Sequence, residues 1–305
     1  MINTTTGQIR DNFYITGLAA CPIFVLDAPR PVLFDGGVSC AGRLYMDAIR
    51  SALQDRQPEI LFLTHVHWDH CGAAAYLKKV FPGLKIAASP VGAKILKNPR
   101  AQSLMERLNR DIMKDTNNFS DIDIFQLIDD PFAPFEVDIE LEDGQVFDLG
   151  HGTTVQAMAT PGHTRDHFSY YLPADNILIA GEAAGELDSS GAILTHFLVD
   201  YEDYMFNLRR LAALPLEILC QGHQFVFIGQ EDVKAFFARS ISESIRYKDR
   251  IIELLYEEDG SIERVIHKLK SERYDTIPGP KQPEMPYLLN VTAQIKHLAG
   301  KIAVK

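Results

Sequence analysis

The segment Thr64-His65-Val66-His67-Trp68-Asp69-His70 constrains this chain more than any other part of its sequence. It follows an apolar run at residues 60–63, which is typical of a strand buried on both faces. In an extended stretch, residues two apart point the same way, so His65 and His67 can hold one ion. The turn that follows brings Asp69 and His70 toward a second ion. We therefore predict a metal site at the end of the strand at residues 59–64.

Three more ligand-type side chains come just after predicted strands. The strands at residues 154–159, 176–180 and 217–220 are followed by His163, Glu182 and His223, respectively. A glycine precedes each of these three residues, which lets the backbone approach a site closely. Taken alone, each is as easily an ordinary loop residue. Together with the first segment, they complete the ligand set of a two-metal site.

The chain contains, in this order, HxHxDH, TPGHT, an acid after a strand, and GH. Over about residues 10–230, this order resembles that of the metallo-β-lactamase-fold hydrolase superfamily. The resemblance implies an α+β fold, a four-layer αββα sandwich with the metals at one edge of its two sheets. It also implies a ligand set: His65, His67 and His163 for the first ion, Asp69, His70 and His223 for the second, and Glu182 bridging both. Glu182 departs from the family pattern, in which Asp is usual, and is longer by one methylene.

Two branches of the superfamily resemble this chain most. The TPGHT segment at residues 160–164 and the helical C-terminus are similar to glyoxalase II-like thioesterases. Residues 69–72, 106–110, 181–186 and 198–200 resemble the PqsE-like branch of quinolone-signal response proteins. In that branch the C-terminal helices close over the metal site, which implies the same placement here.

The chain changes character near Gly229, where strand signals stop and apolar residues continue at helical spacing. We therefore predict a catalytic domain at residues 1–230 and a helical C-terminal region at residues 231–305 that covers the active site. The apolar helices of this second region are also a candidate surface for a homodimer.

The sequence contains no GxSxG elbow and no glycine-rich loop with a phosphate-binding lysine, so we expect the nucleophile to be hydroxide on a metal. The expected cofactors are two divalent transition-metal ions, zinc or iron, with manganese as an alternative. Asp69 is the catalytic candidate, because it can both bind an ion and accept a proton from water.

The first functional hypothesis is a metal-dependent hydrolase of a small ester or thioester. A phosphodiesterase and a lactonase are alternatives, because the same pair of ions suits either reaction. A redox enzyme that uses iron is a different class, and His67 keeps the hydrolase pattern rather than the Glu common in such relatives. A PqsE-like regulatory protein with incidental hydrolase activity is a further alternative.

Composition limits the partners. The 305 residues carry 30 basic and 41 acidic side chains, a formal charge of −11, which argues against nucleic acid as a partner. No apolar run is long enough to predict a membrane span. The four cysteines form no CxxC pair, and the first residues do not resemble an export signal, so we expect a cytoplasmic protein. We expect its partner to be a small-molecule substrate.

The remaining histidines have no ligand spacing. We predict surface or supporting roles for His151, His196, His267 and His297. Asp166 and His167 lie close to His163 in sequence and are candidates for orienting a ligand by hydrogen bonding. Asp35, at the end of an early strand, is a third candidate for such a role.

Overall fold

The computed structural model describes residues 1–113, 126–127, 131–277 and 281–303. Its strands are β1 Ile2–Asn3, β2 Gly7–Arg10, β3 Phe13–Leu18, β4 Cys21–Leu26, β5 Val32–Phe34, β6 Ile60–Phe62, β7 Lys85–Ala88, β8 Ile139–Glu140, β9 Val146–Gly150, β10 Thr153–Ala159, β11 Phe168–Leu172, β12 Ile177–Gly181, β13 Glu186–Leu187, β14 Ile193–Leu194, β15 Ile218–Gln221 and β16 Val226–Ile228. Its helices are α1 Gly42–Leu53, α2 Trp68–Cys71, α3 Ala74–Val80, α4 Pro90–Leu96, α5 Pro99–Ile112, α6 Tyr201–Ala212, α7 Gln230–Glu257, α8 Ile262–Arg273 and α9 Glu284–Ala303.

One seven-stranded sheet contains β2 to β8 in chain order. Neighbours from β2 to β5 are antiparallel, whereas β5, β6, β7 and β8 run parallel. Parallel neighbours need a crossover connection, and α1 provides it between β5 and β6. Phe34 pairs with Phe62, so these two strands end side by side. Asp35 and the histidine-rich segment start from this shared edge.

The second seven-stranded sheet has the order β1, β16, β15, β12, β11, β10, β9. Its strands β12 and β15 are parallel, and α6 lies in the connection between them. Gly181 pairs with Gln221 at the ends of these strands. Glu182 and the segment with His223 therefore leave the sheet next to each other.

Among the described residues, the core divides into three apolar clusters that define four layers. Between the sheets, Phe24, Phe34, Phe62 and Tyr170 are almost completely buried. On the outer face of the first sheet, α1 and α3 pack through residues such as Tyr45 and Leu77, and α6 and α7 cover the outer face of the second sheet. The predicted α+β fold, an αββα sandwich, is confirmed.

The C-terminal helices pack on the second sheet and on α6. Val233, Phe236 and Phe237 of α7 are buried in the same cluster as Leu208, whereas Ile245 remains exposed. Helices α8 and α9 pack against α7 and against each other. Within the described ranges, we find no helix that combines the length and the apolar character needed to cross a bilayer.

Candidate metal centre

The two sheets meet at the edge where the predicted ligands lie. The backbone N–H of Phe168, at the start of β11, donates to the carbonyl oxygen of Thr64 at 2.7 Å. The Tyr170 hydroxyl donates to the Leu63 carbonyl at 2.5 Å. These bonds join the end of β6 to the second sheet, so ligands from both sheets face one another.

His65, His67 and His163 form the first ligand group. One nitrogen from each ring lies within 4.8 Å of the other two. His163 Nε2 is 3.3 Å from His67 Nδ1, and the His65 and His67 ring centres are 4.3 Å apart. The three residues assigned to the first ion by the resemblance are thus brought together.

His70, Glu182 and His223 form a second group within the same 4.8 Å limit. Glu182 Oε1 lies 2.6 Å from His70 Nε2 and 3.2 Å from His223 Nε2. Asp69 Oδ2 is 3.8 Å from His223 Nε2, and Asp69 belongs to a third group with His223 and Cys21. The seven predicted site residues therefore lie around one centre, with Asp69 toward its solvent side.

Four of the predicted histidine ligands share one hydrogen-bonding pattern, in which Nδ1 faces a protein oxygen and Nε2 is left for another partner. The oxygens are Thr64 Oγ1 for His65 at 3.0 Å, Asp35 Oδ2 for His70 at 2.9 Å, the His196 carbonyl for His163 at 2.7 Å and the Ala20 carbonyl for His223 at 2.6 Å. Thr64 donates its own proton to Asp35, so it accepts from His65. Such bonds fix the tautomer and orientation of a metal-binding imidazole.

Several inward-facing atoms have no hydrogen-bond partner although they are buried. They are His65 Nε2, His70 Nε2, His167 Nε2 and Glu182 Oε2. His70 Nε2 is close to Glu182 Oε1, but the contact does not meet the geometry of a hydrogen bond. Buried polar atoms without a partner are costly, and a cation between them would satisfy them. The donor set, imidazole plus carboxylate, therefore fits transition-metal ions.

A family model described as the metallo-beta-lactamase superfamily matches residues 22–223, about two-thirds of the chain. This chain belongs to the metallo-beta-lactamase superfamily. It is 26% identical over 212 residues to an atrochrysone carboxyl ACP thioesterase of Aspergillus fumigatus, covering 70% of this chain and 50% of that protein. It is 28% identical over 182 residues to a hydroxyacylglutathione hydrolase of Bartonella henselae, covering 59% and 54%. The chain thus spans about half the length of these curated relatives.

Solved structures of the superfamily share the fold. A metallo-beta-lactamase family protein of Thermus thermophilus aligns with a TM-score of 0.64 at 19% identity, covering 97% of this chain and 95% of that one. An archaeal superfamily protein of Sulfolobus tokodaii aligns with a TM-score of 0.58 at 19% identity, covering 94% and 98%. At this level of identity, the likeness shows the fold alone.

The surroundings shift the pKa values of the histidines at this site in opposite directions. Burial lowers the pKa values of His65 and His163 well below the usual histidine value, so both rings are neutral. Burial acts in the same direction on His70, but the carboxylates of Glu182 and Asp35 outweigh it and hold the His70 pKa well above its usual value. Burial would raise the pKa of Glu182, yet the positive charge of His70 beside it outweighs burial and holds this pKa well below its usual range. Glu182 is therefore an ionised ligand candidate.

Asp35 supports both ligand groups from the end of β5. It is buried in a left-handed backbone conformation, with φ of 62°. Its carboxylate accepts from the Thr64 backbone N–H at 2.7 Å, from the Thr64 hydroxyl at 2.9 Å and from His70 Nδ1 at 2.9 Å. Asp166 has a comparable place, because its Oδ2 accepts from the Val66 N–H between the first two ligands at 2.9 Å.

Other supporting residues gave no clear signal in the sequence. His196 is buried, its carbonyl holds His163, and its Nε2 lies 3.0 Å from Glu186 Oε2. Cys21, the first residue of β4, also lies at the centre and is remote in sequence from every ligand candidate. No local spacing rule connects such residues, because their proximity arises only when the hairpins pack. His151, by contrast, is exposed, as expected.

Proposed function

We propose that this chain is a dinuclear-metal-dependent hydrolase of small ester or thioester substrates, with thioesters as the main class. The observation that carries the proposal is the group of buried imidazole nitrogens and carboxylate oxygens that face one centre without hydrogen-bond partners. The similarity to a thioesterase and to a hydroxyacylglutathione hydrolase supports the choice of thioester.

The ions would be held by two sets that share Glu182. The first set is His65, His67 and His163; the second is Asp69, His70 and His223. Zinc and iron suit this mixture of imidazole and carboxylate, and manganese is an alternative. When bound, such cations supply Lewis-acid chemistry that activates water and polarises the substrate oxygen.

The protein's own side chains determine where substrate enters and where a proton goes. His67, Asp69 and His223 keep part of their surface in solvent, whereas His65, His70 and Glu182 are buried. Substrate therefore approaches from the side of Asp69. This carboxylate is 16% exposed and acts as the proton acceptor at the open edge of the site, close to where water meets the substrate carbonyl.

We also propose that the helical region at residues 231–305 covers this site of the catalytic domain at residues 1–230, on which its first helix packs. Ser240 of α7 donates to the Ala184 carbonyl at 2.6 Å, two residues after Glu182. Gln294 of α9 donates to the Thr195 carbonyl, next to His196. These helices thus contact the segment that follows Glu182 and the segment that contains His196, which supports a role in shaping the substrate pocket.

The test uses the full chain, prepared without metal and then loaded separately with Zn²⁺, Fe²⁺ or Mn²⁺. Four substrates are compared: an acyl-CoA thioester, its oxygen-ester analogue, a lactone and bis(p-nitrophenyl) phosphate. We expect the thioester to be turned over fastest. Asp69→Asn should lower this turnover by about 10²–10⁴-fold, and His151→Ala serves as the control at an exposed histidine.

Two results would contradict the proposal. Hydrolysis of the phosphodiester or of the lactone, with the thioester untouched, would assign a different hydrolase class. Stable loading with two ions and no turnover of any substrate would favour a regulatory role in which the centre binds a small molecule.

A further inference from the structure

The hydrogen bonds of His167 determine which of its two ring nitrogens carries the proton. Its Nδ1 is 2.8 Å from Thr160 Oγ1, and Thr160 Oγ1 is 2.9 Å from Ser169 Oγ. Ser169 donates its hydroxyl proton to the Ala180 carbonyl at 3.0 Å. Because a hydroxyl group has one proton, Thr160 donates to Ser169 and accepts from His167 Nδ1. The neutral ring of His167 therefore has a lone pair, not a proton, on Nε2.

This lone pair faces the carboxylate of Glu182. His167 Nε2 lies 3.6 Å from Glu182 Oε2, and among the described residues neither atom has a hydrogen-bond partner. The two residues are 1% and 3% exposed, so solvent does not compensate. Both atoms are acceptors, and burying two acceptors without a donor is costly. A cation bound by both atoms would remove this cost.

His167 and Glu182 also form a ligand group with His65. One ligand atom from each of these residues lies within 4.8 Å of the other two, the same limit that the first and second ligand groups meet. The centre of the His167 ring is 5.1 Å from that of His65 and 5.9 Å from that of His163. His65 belongs to this group and to the first ligand group, so the first ion is the one within reach of His167.

Gly181 lets the end of β12 come close to the His167 ring. A Cβ atom at this position would lie 2.6 Å from His167 Nε2, so any other residue would displace the ring. Gly181 also has a φ of +53°, a conformation that favours glycine. Because Glu182 follows directly, this close approach also brings its carboxylate to the ring.

We propose that His167 is a metal ligand, which binds the first ion through Nε2 in addition to the seven ligand candidates described above. Glu182 would then face one ion with each oxygen. Its Oε2 lies on the side of His167, whereas Oε1 is 2.6 Å from His70 Nε2 and 3.2 Å from His223 Nε2. This role differs from the orienting role predicted for His167 from its place in the sequence. The inference rests on the metal centre of the proposed function, but it is independent of the substrate.

Cadmium NMR of the full-length wild type tests this assignment. The protein, labelled with ¹⁵N-histidine, is freed of metal and loaded with ¹¹³Cd²⁺, and scalar coupling between the metal and each ring nitrogen is measured. We expect coupling at Nε2 of His167, as at Nε2 of His65 and of His163, and a proton on His167 Nδ1.

The same spectra distinguish the ways in which the assignment could fail. Coupling at His65 and His163 without coupling at His167 would overturn this inference alone. A proton on His167 Nε2 would also overturn it, because the ring would then be a charged hydrogen-bond donor to Glu182. Absence of coupling at every histidine would overturn the metal centre of the proposed function as well.

Zn²⁺ affinity provides a second measurement. Metal-free wild type, His167→Phe and His163→Phe are titrated with Zn²⁺ against a chromophoric chelator. Loss of a residue that only orients a ligand typically lowers metal affinity by about 10–100-fold, so loss of a ligand should cost at least as much. We expect His167→Phe to lose about as much affinity as His163→Phe, which removes a candidate of the first ligand group.

The matched control is His267→Phe, the same change at an exposed histidine of α8, which should bind Zn²⁺ as the wild type does. Thermal melting of each metal-free variant checks that it is folded. Wild-type affinity in a folded His167→Phe would overturn the inference. If this variant does not fold, the cadmium spectra of the wild type decide the matter.

Discussion

Gln294, in the last helix, donates a 2.7 Å hydrogen bond from Nε2 to the carbonyl oxygen of Thr195. The amide is buried, and its Oε1 accepts from the Tyr247 hydroxyl of α7 at 2.8 Å. The residue after Thr195 is His196, whose carbonyl orients the ring of His163. Two C-terminal helices are thereby connected to a ligand candidate through one side chain and one loop.

Replacing Gln294 should lower the metal affinity of the first ligand group, although Gln294 contacts none of its three histidines. Gln294→Leu keeps the volume of the side chain but leaves the Thr195 carbonyl and the Tyr247 hydroxyl without their partner, which costs about 1–3 kcal/mol per buried group. We expect a lower melting temperature and a weaker hold on the ion at His163, by about tenfold. Differential scanning calorimetry and chelator competition measure the two effects.

The matched control is Lys296→Ala, on the exposed face of the same helix. It should leave both quantities unchanged, since its side chain is in solvent. If Gln294→Leu changed neither the melting temperature nor the metal affinity, the connection between α9 and His163 would contribute nothing to stability or to metal binding.

The fold and the ligand positions could be predicted from sequence to the extent that they depend on local periodicity. The continuous apolar run at residues 60–63 indicated a buried strand, and an edge where strands end collects the side chains that follow them. The pairing of His196 with Glu186 was beyond such reasoning. Glu186 begins β13 and His196 follows β14, so they meet at the open end of a hairpin whose two-residue strands have too little pattern to be recognised. Cys21 was missed for a different reason, because Asp69 and His223, which lie close to its Sγ, come from distant parts of the chain.

Metal content should depend on the first two histidines. Purified wild-type protein should carry about two transition-metal ions per chain, and His65→Ala with His67→Ala should lose most of them, since both rings belong to the first ligand group. Elemental analysis by mass spectrometry measures the ratio. His151→Ala, at an exposed position, should keep the wild-type content. Full retention of metal in the double variant would refute the assignment of these ligands.

Metal binding should strengthen as pH rises. Burial favours a lower pKa for His70 and for His223, but in each case a nearby carboxylate outweighs burial. Glu182 holds the pKa of His70, and Glu186 that of His223, well above the usual histidine value. A proton must therefore leave each ring before its Nε2 binds an ion, and affinity should rise about tenfold per pH unit for each proton released. Calorimetric titration in buffers with different ionisation enthalpies counts these protons. Equal affinity at about pH 6 and pH 8 would contradict the expected release.

Metal should also protect one cysteine from alkylation. Cys21 offers its Sγ within 4.8 Å of ligand atoms of Asp69 and His223, so an ion held there restricts access to the thiol. We expect slower modification of Cys21 by iodoacetamide in the loaded protein than in the metal-free protein, followed by peptide mass spectrometry. Cys220, completely buried in β15, is the internal control and should react slowly in both forms. Equal rates for Cys21 with and without metal would place the ion elsewhere.

Asp35 connects the two ligand groups. Its carboxylate bonds directly to His70 and, through the Thr64 hydroxyl, to His65. An ion that fixes one of these rings also fixes the carboxylate, and the second ring is then ordered before its own ion arrives. We therefore expect the two ion positions to be linked thermodynamically, each ion raising the affinity for the other by the same factor. The protein should therefore load cooperatively, and at limiting metal the population should consist mainly of empty and doubly occupied molecules.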